Sequence, residues 1–400
     1  MERAVGDDGA VGAGSRRKTL AAVAGGNFVQ LGVRLLVGAV VPLVLVEFDT
    51  TRASVGLALT GLWAVYALLQ FPSGVLADRH GERALVLAAL AAVGVGVLAV
   101  AVAPSVELFA ACLLVLGAGA GLFFAPASAL VSRLYDRQGR ALGVLTASGA
   151  VAGVLFPAAG GFLGVRLGWR PAVGVGAAAA LVALVAVLLT VPRAPPSDRG
   201  RGLGVVLDFR RHGRLLARPP VAYSVALGVL VGFTFQGVTS FLPTFLVEYH
   251  GLTPDLAGVA FGAVFGLSSV AQPVAGSLSD RYSRDLAIAA SAGVCLSGVV
   301  VLLAVPGTGG LVGGLFLLGV GVSWPGPVQA RFFDQLGEDE RGYGFGLLRT
   351  VYLLVASLGS VAVGSLADLA GWTAGFGALV AVLGTCLLLV AANRGLGLGL

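Results

Sequence analysis

The stretch QFPSGVLADR at residues 70–79 recurs as QPVAGSLSDR at residues 272–281, so that both copies read Q-x-x-x-G-x-L-x-D-R. Each copy stands where a long apolar run ends in charged residues. The copies are separated by about half of the 400-residue chain. Self-similarity at a fixed spacing is typical of duplicated structural units, so we expect two equivalent halves.

The duplication extends well beyond these ten residues. Residues 42–48 match residues 243–249, and the pair Gly168-Trp169 recurs as Gly371-Trp372. We therefore place the two halves at residues 20–191 and 220–400.

The composition excludes a soluble domain. Hydrophobic residues make up 57% of the chain and charged residues only 12%, against roughly 25% charged residues in soluble domains. The apolar runs are about 20 residues long, which is the length needed to cross a bilayer. The predicted spans are 20–46, 53–77, 84–103, 106–132, 141–165, 170–191, 220–247, 254–278, 285–304, 309–331, 343–366 and 372–392. This pattern predicts an all-α membrane protein with twelve transmembrane helices in two six-helix bundles.

The net charge of +6 indicates how the chain is oriented in the membrane and does not indicate nucleic-acid binding. Outside the spans, nearly all basic residues lie in the tails and in the loops that share a side with the N-terminus. Only Arg52, Arg166 and Arg170 lie in the opposite loops. Because basic loops stay in the cytoplasm, both termini are predicted to be cytoplasmic. We expect a multi-pass protein of the cell membrane, a monomer, with a disordered tail at residues 1–19.

The longest polar stretch, residues 192–219, joins the two predicted bundles. Its middle part, residues 203–216, mixes apolar residues with Asp208 and several arginines. Such a segment is typical of a short amphipathic helix on an anionic membrane surface. We predict a cytoplasmic linker that contains this helix.

The segment GVLADRHGER at residues 74–83 matches G-x-L-x-D-R-x-G-R-K, the loop signature between helices 2 and 3 of the major facilitator superfamily. Glu82 stands where the signature has a base. The matching positions are Gly74, Leu76, Asp78, Arg79 and Gly81, with Arg83 as a conservative change, and in the weaker second copy Gly276, Leu278, Asp280 and Arg281. With twelve predicted spans and the half-length repeat, the whole chain resembles this family. The resemblance implies a secondary transporter whose halves alternate access to a central site.

The resemblance also implies a gating role for Asp78, which in the family pins the second span to the start of the eleventh, here near Gly342. A carboxylate at a helix N-terminus gains about 0.3–1 kcal/mol, which fits such a contact. The symmetric partner of Asp280 would be the start of the fifth span near Gly139. The alternative is that the loop only anchors the topology.

The fifth predicted span matches part of the family's antiporter pattern. The matching positions are Gly143, Pro157, Gly160 and Gly161, while Ala152 and Phe156 replace two further glycines. The fourth span also lacks the arginine that many proton-coupled drug exporters carry before Gly-x-Gly. Both departures weaken the interpretation as a drug exporter.

Arg34 lies about midway along the first predicted span. A cation facing lipid there costs at least roughly 2.5–3.5 kcal/mol, so we expect it to face a central cavity. Asn27 and Gln30 lie on the same helical face. Gln236 in the seventh span, and Arg349 with Tyr352 in the eleventh, complete the predicted substrate site. Arg349 lies closer to the cytoplasmic end of its span, and the alternative is that it only anchors the helix end.

No Asp or Glu lies near the middle of any predicted span, so the two intramembrane arginines lack a counter-charge. Arginine donates two parallel hydrogen bonds to carboxylate or phosphate. We therefore predict a small organic or inorganic anion, such as a carboxylate, as substrate. The competing explanation is a neutral substrate, with Arg34 satisfied by backbone carbonyls and water.

Two other functions remain open, and so does the mode of coupling. One is a multidrug efflux antiporter, and another is a transporter-like sensor that moves no solute. The coupling mode is also open, since protons could accompany the substrate. An enzyme is not expected: His80, His212 and His250 lie apart from metal-ligand spacing, and no phosphate-binding G-x-x-x-x-G-K-[ST] loop is present. We expect neither a metal nor a cofactor.

Overall fold

The computed structural model describes residues 13–135, 138–193 and 208–400. Within these ranges the chain forms sixteen α-helices and one 3₁₀ turn, Glu338–Glu340. The helices are α1 Ala13–Phe48, α2 Arg52–His80, α3 Glu82–Ala101, α4 Val106–Gly121, α5 Phe124–Leu134, α6 Gln138–Leu167, α7 Trp169–Thr190, α8 Phe209–Leu216, α9 Pro219–Glu248, α10 Pro254–Arg281, α11 Arg284–Ala304, α12 Gly307–Gly321, α13 Pro325–Asp334, α14 Arg341–Ala356, α15 Leu358–Ala370 and α16 Trp372–Gly395.

Twelve segments of this structure are long and apolar enough to cross a membrane, which confirms the predicted number of spans. The helix α1 begins at Ala13, inside the segment 1–19 that was predicted as a tail. Residues 1–12 lie outside the described part of the chain.

Three of the twelve spans differ from the single helices that the sequence predicts, because each consists of two helices in line. The fourth span is α4 with α5, the tenth is α12 with α13, and the eleventh is α14 with α15. Pro325 begins α13 and has no N–H to continue the preceding helix. The eleventh span breaks at Ser357, where the hydroxyl of Thr60 lies between the Ser357 carbonyl and the Val361 amide. A side chain inserted into the helical hydrogen-bond ladder is a known cause of such breaks.

The two halves meet mainly along three helix pairs: α6 with α10, α2 with α14, and α2 with α15. We call the end of the bundle that carries Arg52 the distal side, and the end that carries the start of α1 and the end of α16 the terminal side. At the distal side the backbones come very close: a Cβ at Gly161 would lie 2.6 Å from the Pro254 carbonyl oxygen, and one at Gly56 would lie 2.8 Å from that of Ser360. Such approaches are possible only with glycine, as in other membrane helix contacts. The distal side is therefore closed.

An ionic contact reinforces this closure. The guanidinium of Arg52 at the start of α2 bonds Glu248 at the end of α9 and Asp368 on α15, the latter at 3.0 Å. The Asp368 carboxylate also accepts the Ala53 amide at 2.7 Å. Residues of both halves thus meet in one cluster, which we call the distal latch (Arg52, Glu248 and Asp368).

From residue 208 onward the linker is described and includes the short helix α8, capped by Asp208. The His212 ring stacks on Tyr343 with 5.4 Å between ring centres, and Leu215 is buried. The linker helix thus packs on the terminal side against α14. Its predicted placement on the membrane surface stays a prediction, and the predicted helical residues 203–207 lie outside the described ranges.

Candidate substrate site

Arg34 is buried in the centre of the protein, with 4% of its surface exposed. Its Nε donates to the Gln30 carbonyl at 3.1 Å and its Nη2 donates to Gln30 Oε1 at 2.9 Å. Both contacts lie within α1 and hold the guanidinium in one orientation. The remaining nitrogen, Nη1, is buried without a hydrogen-bond partner.

Asn27 and Gln30 form a hydrogen-bonded chain that ends at Arg34. Asn27 Nδ2 donates to the Leu145 carbonyl on α6 at 2.8 Å, and Gln30 Nε2 donates to Asn27 Oδ1 at 2.8 Å. The amide groups of both residues are therefore engaged inside the protein in this state. Their predicted role as direct substrate ligands stays a prediction, while the observed contacts fix the position of Arg34.

Two aromatic rings of α2 enclose the Arg34 guanidinium. Its Cζ atom lies 4.2 Å from the centre of the Tyr66 ring and 4.9 Å from that of Trp63. At these distances the ring faces attract the cation, by about 2 kcal/mol or more when the pair is desolvated. The rings compensate part of the cost of burying this charge, but they supply no negative charge.

Arg349 on α14 brings a second, partly buried cation to the same place from the other half. Its guanidinium interacts electrostatically with Tyr66 and Tyr352, and its Cζ lies 5.3 Å from the Phe124 ring centre. Tyr66 interacts with both arginines. For neither guanidinium does a carboxylate contribute to the electrostatic surroundings among the described residues. Two positive charges, one from each half, therefore lie beside the Tyr66 side chain, and no carboxylate of the described residues balances them.

A cavity of about 340 Å³ leads from Arg349 toward the terminal side. Its lining comes from α2, α5 and α14 and includes Gln70, Ser128, Tyr343 and Arg349 as polar residues, with Asp78 at the end of α2. Since the distal side is closed, this cavity makes the structure accessible from the terminal side.

The structure brings together part of the predicted site. Arg34, Arg349 and Tyr352 meet around Tyr66. Gln236 is buried on α9 with its Oε1 atom unpaired, and the structure gives no contact between its side chain and the two arginines. Its role stays a prediction.

Sequence reasoning missed four residues of the site: Trp63, Tyr66, Gln70 and Ser128. Trp63, Tyr66 and Gln70 are spaced by three and four residues, which places them on one face of α2. Gln70 is also the first residue of the repeated pattern. That polar face on an apolar span was the available signal.

The loop signature forms a tight connection between α2 and α3. Gly81 adopts φ +91°, which favours glycine, and its N–H donates to the Ala77 carbonyl at 2.8 Å. Arg83 donates to the Leu188 carbonyl at 2.9 Å, while Arg79 is exposed. Glu82, which departs from the signature, is buried and pairs with Arg133 at 2.8 Å. Asp78 and Tyr343 line the same cavity, which brings the ends of the second and eleventh spans together at the predicted place.

In the second copy of the signature, Asp280 is exposed and pairs with Arg284 four residues later. Its predicted proximity to Gly139 has no described contact in its favour, and Gly276 and Arg281 are not buried. The second copy therefore differs from the first in its contacts, as it does in its sequence. The gating role of either copy stays a prediction.

The four residues of the fifth-span pattern lie in different surroundings on α6. Pro157 and Gly161 face α10, where a Cβ on Gly258 would lie 2.6 Å from the Pro157 carbonyl oxygen. Gly160 faces Leu36 on α1, and Gly143 faces open space. The pattern thus contributes to the closed contact between the halves.

The sequence matches the model of the Major Facilitator Superfamily over residues 23–330 and again over 226–395. Among curated proteins, the chain is 30% identical over 358 residues to transcription regulatory protein OpdE of Pseudomonas aeruginosa, covering 84% of each chain. It is 32% identical over 253 residues to the probable nitrate/nitrite transporter NarK2 of Mycobacterium tuberculosis, covering 60% of this chain and 61% of that protein.

A third relative, the multidrug resistance protein B homolog of Mycobacterium tuberculosis, is 29% identical over 221 residues, or 55% of this chain. The match spans only 38% of that relative's length.

Two solved structures share the fold over most of the chain. A bacterial homolog of the human lysosomal transporter Spinster, in an inward-facing and unoccupied conformation, superposes with a TM-score of 0.76 at 16% identity, covering 95% of this chain and 94% of that one. The nucleoside transporter NupG superposes with a TM-score of 0.81 at 13% identity, covering 94% and 99%. With twelve membrane-spanning helices and a family match over most of its length, the protein belongs to the major facilitator superfamily and is a multi-pass membrane protein.

Proposed function

We propose that this transporter carries a small, carboxylate-like anion by alternating access. The observation that carries the proposal is the meeting of Arg34 and Arg349 at Tyr66, where no carboxylate of the described part of the chain acts on either guanidinium. Each guanidinium also keeps one buried nitrogen without a hydrogen-bond partner, Nη1 of Arg34 and Nε of Arg349. A bound anion would supply both the missing charge and the missing acceptors.

The two arginines belong to different halves, which gives the anion a mechanical role. Arg34 lies on α1 of the first half and Arg349 on α14 of the second. An anion between them draws the halves together, whereas the empty site holds two cations that repel each other. Substrate binding would therefore change the relative stability of the open and closed states, as alternating access requires.

The names of the known relatives support more than one function. The name of NarK2 refers to nitrate and nitrite, which are anions. The name of the M. tuberculosis multidrug resistance protein B homolog favours the second candidate, efflux of hydrophobic compounds. The name of OpdE favours a third, a sensor that regulates transcription without moving solute.

Uptake by proteoliposomes tests the proposal. We expect saturable uptake of a labelled anion from a panel of nitrate, acetate and phenylacetate, measured with and without a proton gradient. Arg34→Gln and Arg349→Gln should each raise the apparent KM by roughly 10- to 150-fold, since a hydrogen bond to a charged group contributes about 1.5–3 kcal/mol.

The matched control is Arg166→Gln, which removes an exposed arginine at the distal side and should leave uptake unchanged. Each variant must elute as a monodisperse peak before it is compared. Unchanged anion uptake in both site variants would contradict the proposal. Resistance to hydrophobic drugs that is independent of Arg34 would favour efflux, and anion binding without accumulation would favour the sensor.

A further inference from the structure

The cavity below Arg349 contains more unpaired polar atoms than any other place in the described structure. Gln70 Nε2, Ser128 Oγ, Tyr343 Oη and Arg349 Nε are all buried without a hydrogen-bond partner, and all four residues line this cavity. Gln70 is only 7% exposed. Because buried polar groups are nearly always hydrogen-bonded, a cluster of four such atoms indicates a ligand with several acceptors.

All four of these groups can donate a hydrogen bond. An amide N–H and a guanidinium N–H only donate, and the hydroxyls of Ser128 and Tyr343 can rotate to donate. The one carboxylate in the lining, Asp78, lies eight residues from Gln70, which is about 12 Å along α2. The acceptor end of the ligand therefore belongs near Arg349 and Gln70, away from Asp78.

The rest of the cavity wall is apolar. Phe71 and Val75 on α2, Phe124 and Ala125 on α5, and Phe345 on α14 supply it. A volume of about 340 Å³ lies at the lower end of the range of pockets that hold organic ligands, roughly 300–1,000 Å³. An inorganic anion such as nitrate would leave most of these walls without contact.

We propose that the substrate is an organic monocarboxylate with an apolar, preferably planar body. The carboxylate binds Arg349 and Gln70, and the body packs between Phe71 and Phe124. This inference rests on the proposed transport of an anion and makes it specific: Gln70 and Ser128 become substrate-binding residues, and the aromatic wall sets the preference for apolar bodies over inorganic ions.

Competition against phenylacetate uptake in proteoliposomes tests the substrate class. The panel contains phenylacetate, acetate, nitrate and the neutral analogue phenylacetamide. We expect nitrate and acetate to compete at least tenfold more weakly than phenylacetate, because they lack the apolar body. Phenylacetamide should also compete at least tenfold more weakly, because it lacks the charge.

Two variants locate the site. Gln70→Leu should weaken phenylacetate competition about tenfold. Ala125→Phe should narrow the apolar part of the cavity. It should weaken competition by phenylacetate at least tenfold and change competition by acetate by no more than about twofold. The control Ala111→Phe adds the same ring at an exposed position of α4 and should change neither.

The outcomes separate this inference from the proposed function. If the wild-type protein transports no anion, or if Arg34→Gln leaves anion uptake unchanged, anion transport itself is overturned. If anions are transported but nitrate competes as well as phenylacetate, or Ala125→Phe affects both carboxylates equally, only the inference about the organic body is overturned.

Discussion

Replacing Thr60 by valine removes one hydroxyl group from the contact between the halves while keeping the shape of the side chain. That hydroxyl donates to the Ser357 carbonyl at 3.0 Å and accepts the Val361 amide at 3.1 Å. Both bonds cross from α2 to the eleventh span, and Thr60 is only 8% exposed. Each such bond contributes a net of about 0.5–1.5 kcal/mol, so the distally closed state should lose about 1–3 kcal/mol. We expect the equilibrium to shift roughly 5- to 150-fold toward a distally open state.

Distance measurements between spin labels can detect this shift. Cysteines at Val102 and Val305 place one label on each half at the distal side, both at exposed positions. The three native cysteines must first be replaced. The Thr60→Val variant should show a larger population at long distances.

A valine at Thr244 provides the control for the chemistry of the change. Thr244 is fully buried and its hydroxyl has no hydrogen-bond partner. Its replacement should leave the distance distribution unchanged. An unaltered distribution in Thr60→Val, with the labelled protein still folded, would refute the view that these two bonds hold the distal side closed.

Two further changes test other contacts. Arg331, buried on α13, pairs with Asp285 on α11 and bonds Ser224 at 3.0 Å, so Arg331→Met should cost about 3–5 kcal/mol by leaving the Asp285 carboxylate uncompensated. Thermal unfolding should show this loss, and adding Asp285→Leu should recover most of it; no recovery would contradict the argument. Gly161→Val should increase the distally open population in the same label assay, because its Cβ would lie 2.6 Å from the Pro254 carbonyl oxygen. A closed population as large as that of the wild-type protein would contradict this expectation.

The sequence predicts the spans well because each depends on local composition alone. An apolar run of about 20 residues crosses a bilayer whatever its neighbours are. The break at Ser357 could not be predicted in this way, since it depends on a hydroxyl that α2 supplies from about 300 residues away. Hydropathy contains no information about that approach.

The site shows the same division. Arg34 was predictable because a lone cation inside an apolar span is costly and needs an explanation. Tyr66 and Gln70 had a weaker signal, their shared face of α2, because a tyrosine or glutamine in a span most often completes packing. Their importance becomes visible only in the fold, which places this face of α2 beside Arg34 and Arg349. Glu82 departs from the family pattern, and only the fold shows its partner, Arg133.

The distal latch shows how a duplicated chain uses its own asymmetry. In the first half, Glu47 accepts the Trp169 indole N–H at 3.1 Å and pairs with Arg170, the next residue in sequence. In the second half, Glu248 accepts the Trp372 indole at 3.0 Å in the equivalent way. The residue after Trp372 is threonine rather than arginine.

Glu248 therefore has no arginine partner of its own half at this position, and Arg52 of the other half takes that place. The difference at this position, Arg170 in one copy and Thr373 in the other, thus accompanies a contact within a half in the first case and a contact between halves in the second. The pair is about one-third exposed on both sides, so it contributes only about 0–1 kcal/mol. A weak latch is what a transporter requires, because a state held by many strong bonds could not be exchanged for its alternative by the binding energy of one small anion.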